Sequence, residues 1–204
     1  MRTLPALTHV LSTQLVGIIM PAEPLPTGIN HALLGLLVEH PMHPYEMHQQ
    51  LLRAEALGLV WHLKQAHLYA LLTRLQEAGY ITSVTEAQGS RPPRKVFHLT
   101  AEGKAAYAAW VAAPVEHGRD FRLEFLAKLF FAAREGTATV TALIERQKAI
   151  CRQWIADIET DIQALGHERR YDRLVLEFRR GQLEAILPWL DQCQEELAAS
   201  TAER

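Results

Sequence analysis

Cysteine is nearly absent from this chain. The two thiols among 204 residues, Cys151 and Cys193, are far apart and both sit inside helical apolar patterns. That excludes a disulfide-framed fold and a paired-cysteine zinc site, and it fits buried, reduced thiols in a cytoplasmic protein. An excess of one charge is missing too: 21 basic against 23 acidic side chains leave a net charge of −2. The chain is no general polycation, so any contact with nucleic acid must come from a local patch. Long apolar runs are lacking as well. The stretch from Leu11 to Met20 is broken by Ser12, Thr13 and Gln14, is too short to span a bilayer, and has neither the basic start nor the cleavage site of a leader. No G-x-S-x-G, P-loop, H-E-x-x-H or G-x-G-x-x-G pattern occurs. The nearest acidic pair, Asp157 and Asp161, falls at i, i+4 on a polar helix face, where solubility explains it. A non-enzymatic protein without cofactor is therefore expected.

What is present is enough apolar content, 49%, to build a real core. The chain centres on residues 61–100. Leu68, Leu71, Leu72 and Leu75 stand at i, i+3, i+4 and i+7 and predict a helix over residues 64–78 backed by leucine. Its opposite face is thin and mostly small: Ala66, Ala70, Thr73, Arg74 and Glu77, flanked by His67 and Tyr69. Such a helix is either an ordinary surface helix or one shaped for a major groove, where reach is short. The residues C-terminal to it favour the groove. Gly79 supplies a C′ residue, residues 80–85 and 95–99 read as strands, and the connection 87–94 carries Arg91 and Arg94 with Lys95 behind. From Lys64 to Lys95 there are five basic residues (Lys64, Arg74, Arg91, Arg94 and Lys95) against Glu77 and Glu86, a net +3 on an otherwise slightly acidic protein. A positive island of this kind is a phosphate footprint.

Upstream, Thr27 is the expected cap of a first helix with Ile29, Leu33, Leu34, Leu36 and Leu37 on its apolar side. His43-Pro44 opens a second helix, with Met47 and Leu51 four apart. Residues 57–61 suggest a turn and a short third strand. Helix, helix, helix, hairpin is the winged-helix plan. His40, His43 and His48 crowd the second helix, but ligand spacing backed by cysteine or carboxylate elsewhere is missing; solvated or capping histidines are expected, and no metal. Residues 1–27 read as a disordered or loosely packed tail in which Met20 marks an alternative translation start.

After Thr100, an N-cap, residues 101–112 form an alanine-rich helix stopped by Pro114. A boundary is expected between Pro114 and Asp120, dividing a domain at 28–113 from one at 119–199. In the second, a helix over residues 137–165 carries two apolar stripes, Val140, Ile144, Gln147, Cys151, Trp154 and Ile158 on one and Leu143, Ile150, Ile155 and Ile162 on the other. A last helix over 172–199 repeats the arrangement with Phe178, Leu183, Ile186, Leu190, Cys193 and Leu197. One stripe serves the chain's own core and the other calls for a partner, so a homodimer is expected over a self-contained bundle.

The ordered set Leu68-Tyr69, Leu72, Leu75, Gly79-Tyr80-Ile81, Pro93-Arg94-Lys95, Phe97, Leu99-Thr100 and Gly103, with Leu34, Leu37, Tyr45-Glu46 and Leu51 before it, resembles the winged helix-turn-helix of the PadR family of transcriptional regulators. The likeness covers residues 28–112, and Glu124 to Leu129 is similar to the start of that family's effector domain. It implies a mainly α fold with a small β-hairpin wing and a C-terminal α-helical dimerisation domain. It also implies a homodimeric, sequence-specific regulator of double-stranded DNA, usually a repressor on a palindromic operator, released by a small aromatic or hydrophobic ligand. From the residues themselves, Gln65, His67, Tyr69 and Thr73 are assigned to bases and Lys64, Arg74, Arg91, Arg94 and Lys95 to phosphates. Trp110 and Trp154 are the ligand-lining candidates. The recognition helix departs from the family at Lys64, Gln65, Ala66, His67 and Ala70, so no operator carries over. Two other readings stand beside this one: a winged-helix adaptor for proteins, and a regulator sensing metal or thiol oxidation.

Overall fold

The computed structural model describes residues 28–52, 57–88 and 91–202. The tail, Thr27 and the hairpin tip at 89–90 lie outside the described residues. Within them the order is α1 (Ile29–Glu39), α2 (Pro44–Leu52), α3 (Gln65–Glu77), β1 (Ile81–Gln88), β2 (Arg91–Leu99), α4 (Ala101–Ala112), α5 (Glu124–Glu135), α6 (Thr137–Ala164) and α7 (Arg170–Ala202), with short 3-10 turns at Leu57–Leu59 and Gly118–Arg122. The expected mainly α architecture with a single antiparallel hairpin is what forms.

α1 is apolar on nearly every side because β2, α4 and α5 pack around it, burying Ala32, Leu33, Leu34, Leu36 and Leu37. The approach is closest at Gly35. A Cβ there would stand 2.6 Å from Phe131 and 2.8 Å from Tyr107, so rings from α5 and α4 lie on bare helix backbone. α3 buries its four leucines against α2 and β1. It stops at Gly79, whose φ of 78° lets the Tyr80 N–H reach back to the Leu75 carbonyl at 3.0 Å.

The hairpin is longer than the sequence pattern suggests. Pairing runs from Ile81↔Leu99 to Gln88↔Arg91 with an irregularity between Glu86 and Gln88. Pro92 and Pro93 are held inside β2, which a two-stranded ribbon with an open edge tolerates. The third strand expected at residues 57–61 does not form. Both Val60 and Trp61 donate to the Leu57 carbonyl at 2.9 Å, which winds the segment into a 3-10 turn anchored by buried Leu57. The third pairing with the ribbon is instead a bridge from Met42 to Phe97, closed by N–H···O bonds of 3.1 and 2.9 Å.

Thr100 caps α4 as expected, its hydroxyl accepting the Gly103 N–H at 3.0 Å. Beyond α4 the chain turns sharply, yet the core continues. The Gln147 side chain, buried on α6, accepts the Val115 N–H at 2.7 Å. Lys128 on α5 donates to the Ala113 carbonyl at 2.9 Å, and Arg134 pairs with Glu39 across to α1. One apolar cluster thus runs from α1 through α4 and α5 into α6. α6 and α7 form an antiparallel pair joined through Leu183, Leu190 and their neighbours, and Lys148, paired with Glu145 on its own helix, links the two by an ion pair to Asp191. Phe178, grouped with Leu183 in the sequence pattern, lies on a different face. Five residues turn the helix by about 140°, and Phe178 stands 66% exposed in line with Tyr171 and Leu174. No helix among the described residues is long and apolar enough to cross a membrane.

Candidate nucleic-acid interface

α3 presents an open end and a bare front. Lys64 precedes its first turn in extended conformation and offers no side-chain cap. The first intrahelical donors are His67 and Leu68, which both bond the Lys64 carbonyl at 3.0 and 3.1 Å. The N–H groups of Gln65 and Ala66 therefore have no partner within the helix and point along its axis, an arrangement that favours an anion. His48 of α2 holds this end in place, its Nε2 lying 3.0 Å from the Leu63 carbonyl.

With the leucines turned inward, Ala66, Ala70 and Glu77 occupy the centre of the outward face and all are exposed. Gln65, Tyr69 and Thr73 lie on one flank of that centre, and His67 and Arg74 on the other. At about 100° per residue His67 and Tyr69 are some 160° apart round the axis. They therefore address opposite walls of any groove the helix enters, with alanines at the floor permitting close approach. The Thr73 hydroxyl donates to the Tyr69 carbonyl at 3.1 Å, so what it offers outward is its acceptor lone pairs and its methyl group.

The ribbon lies on the Gln65–Tyr69 flank, and a residue missed in the sequence pins it there. Gln76 accepts a hydrogen bond from Lys95 Nζ at 2.9 Å. Lys95 also sits over the Phe97 ring, 4.8 Å from its centroid. Gln76 is eleven residues from Gln65, on nearly the same line of the helix; that spacing was the available signal. Arg94 faces the other way, since successive strand residues alternate, and its guanidinium holds Glu86 Oε2 on β1 at 3.1 and 3.2 Å. The backbone of Arg91 stands opposite that of Gln88 in the register beside the tip. Arg94 and Lys95 thus take opposite faces of the ribbon, each already engaged, rather than projecting together, whereas Lys64 and Arg74 have no side-chain partner among the described residues.

The histidines near α2 disperse. His40 meets Glu46 at 3.2 Å, His43 Nδ1 accepts the Tyr45 N–H at 3.1 Å, and His48 turns to Leu63. No group of three or more potential metal ligands gathers among the described residues. Burial raises the pKa of both thiols, that of Cys193 to about 11, which suppresses the thiolate that oxidation requires.

Trp110 and Trp154 separate. Trp110 is buried at the junction of the two halves, stacked on His31 with ring centroids 5.5 Å apart, its Nε1 donating to Glu124 at 2.9 Å and Lys128 Nζ 5.5 Å from its ring centroid. Burial lowers the His31 pKa, and it also lowers that of Lys128. Trp110 borders a cavity of about 590 Å³. Trp154 lines a different one of about 870 Å³, between α6, α7 and the turn at residues 118–122, together with Phe121, Ile158 and Trp189.

Residues 33–109 match the transcriptional regulator PadR-like family, and residues 121–198 match the family described as the C-terminal part of virulence activator alpha. A probable transcriptional regulator of Mycobacterium tuberculosis is 25% identical over 186 residues, 83% of this chain and 97% of that protein. The negative transcriptional regulator PadR of Bacillus subtilis is 25% identical over 137 residues, 67% of this chain and 74% of its own length. The crystal structure of Bacillus subtilis PadR in complex with operator DNA gives a TM-score of 0.42 at 22% identity, covering 83% of this chain and 98% of that one.

Proposed function

Because this chain belongs to the PadR-like family of transcriptional regulators, we propose that it acts as a homodimeric repressor whose two α3 helices enter successive major grooves of a palindromic operator. The observation that carries this reading is the exposed, uncapped start of α3 beside Lys64, set on a buried leucine stripe and flanked by the ribbon. Gln65, Tyr69 and Thr73 address bases on the ribbon side and His67 on the other. Lys64, Arg74, Arg91, Arg94 and Lys95 serve phosphates, the last two by exchanging Glu86 and Gln76 for DNA oxygens.

The second copy is expected on α7, where Tyr171, Leu174 and Phe178 leave an apolar stripe uncovered, 78%, 63% and 66% exposed. The Trp154 cavity is the seat favoured for a hydrophobic effector that releases the operator, because Trp110 is already enclosed by His31, Glu124 and Lys128. Selection of duplexes from a random pool by the purified protein tests the whole reading. A two-fold symmetric consensus is expected, and His67→Ala should relax preference at the outer positions of each half-site. An enriched pool without symmetry counts against the dimer, and no enrichment against the regulator.

A further inference from the structure

The cavity of about 870 Å³ beside Trp154 is a trench, and it belongs to the second half of the chain alone. Its α7 wall runs from Arg179 to Trp189, ten residues or about 15 Å of helix. The apolar part of the lining is Leu183, Ile186 and Trp189 of α7, Trp154 and Ile158 of α6 and Phe121 of the 3-10 turn, while Gln182, Glu116 and His117 add polar groups. A single planar ring fills only part of such a volume, whereas cavities of roughly this size commonly enclose drug-sized molecules.

The rim is polar and unevenly satisfied. Arg119 has Asp120 at 3.7 Å, and the Asp157 carboxylate takes a hydrogen bond from Gln153 at 2.9 Å. Arg122 and Arg179 border the same opening with no ion-pair partner among the described residues. An elongated apolar trench edged by two such guanidinium groups, whose forked donors match a carboxylate, has the shape and charge of an amphiphile's complement. We infer that the trench binds a single-chain acyl carboxylate, its methylenes laid along Trp154 and Trp189 and its acid head held by Arg122 and Arg179. This rests on the reading that the second half of the chain takes a hydrophobic effector, and it assigns that effector's chemistry. It also ties occupancy to assembly. Trp189 and Phe178 lie about 20° apart round α7, so one helix serves both as the wall of the trench and as the face offered to a twin.

The test uses the full chain, with tryptophan emission and calorimetry against octanoate, decanoate and dodecanoate below their micelle concentrations. Each added methylene should tighten binding roughly fourfold, and each two-carbon step by about an order of magnitude. Arg122→Gln and Arg179→Gln should each weaken dodecanoate about tenfold or more and leave dodecanol unchanged; equal losses for acid and alcohol overturn the assignment of the head group. Affinity that does not depend on chain length, or a hydroxycinnamate that outcompetes every acyl acid, overturns the acyl assignment. Binding of the ligand-free protein to duplex DNA is measured alongside. DNA binding without acyl binding removes only this inference, while acyl binding without DNA binding removes the regulator reading and leaves the trench.

Discussion

Replacing Arg94 with alanine takes away a guanidinium that holds the Glu86 carboxylate 3.1 Å away and that, in the proposed complex, meets a DNA phosphate. Both partners of the protein pair are about half exposed, at 47% and 43%, so the pair contributes roughly 0.2–1 kcal/mol. Without DNA, Arg94→Ala should therefore lower the melting temperature by no more than about 4 °C. With DNA the effect is larger and has a signature. Giving up one neutralised phosphate per subunit flattens the plot of log K against log salt by about 0.9, or about 1.8 for a dimer with both wings engaged. Over a fourfold rise in salt, the difference between wild type and variant should shrink roughly tenfold. Glu86→Gln works in the opposite direction. It removes the competing carboxylate, and relief of a surface pair should strengthen binding about two- to fivefold with the slope unchanged. Fluorescence anisotropy with a labelled duplex over a potassium chloride series reads all three numbers. If Arg94→Ala leaves the slope at its wild-type value, alone and combined with Glu86→Gln, Arg94 never meets a phosphate and the wing's role is wrong.

Gly35→Ala should destabilise the fold by about 1–3 kcal/mol, since the new methyl meets Phe131 at 2.6 Å and Tyr107 at 2.8 Å; a melting temperature equal to wild type would mean the rings can withdraw. Phe178→Glu should convert a dimer to monomers in sedimentation analysis, with secondary structure intact, because the side chain is exposed in the single chain; an unchanged sedimentation coefficient would place the twin elsewhere. His31 is held neutral by burial, which Glu124 opposes and Lys128 reinforces, so its pKa lies below the usual 6.5. Below that pH the unfolded chain takes up a proton that the folded chain refuses, so this stability is complete above 6.5 and lost as pH falls toward the lower folded value. His31→Phe should retain the stack on Trp110 and flatten the dependence of urea midpoint on acid, and parallel curves for the two proteins would remove His31 as its source.

The elements easiest to read in the sequence were those with a single period. The leucine spacing of α3, the Gly79 stop and the Thr100 cap each encode one local decision, and each folds as its chemistry dictates. Residues 57–61 misled because an apolar run of that length has no period of its own, and the Leu57 carbonyl took two donors that a strand would have given away. The hairpin tip was drawn too wide because Pro92 and Pro93 read as a turn, although an edge strand accommodates them. At the candidate interface the residue types of α3 were legible, but their partners were not. That Gln76 meets Lys95, or that Glu86 meets Arg94, depends on ribbon register and on the angle at which β2 crosses α3. Trp110 and Trp154 looked equivalent as aromatics at helical spacing, and only packing separates the ring enclosed by His31 and Lys128 from the one that lines a trench.

The notch at Gly35 has a mechanical corollary. With two aromatic rings seated on the backbone of α1, and Arg134 bound to Glu39 just beyond, α1 is held tightly against α4 and against α5, the helix that leads into α6. In a dimer built on α7, each protomer would then swing as a stiff boom about the twin contact. A slight change of tilt at such a pivot would alter the distance between the two heads and take them out of step with the turns of the duplex.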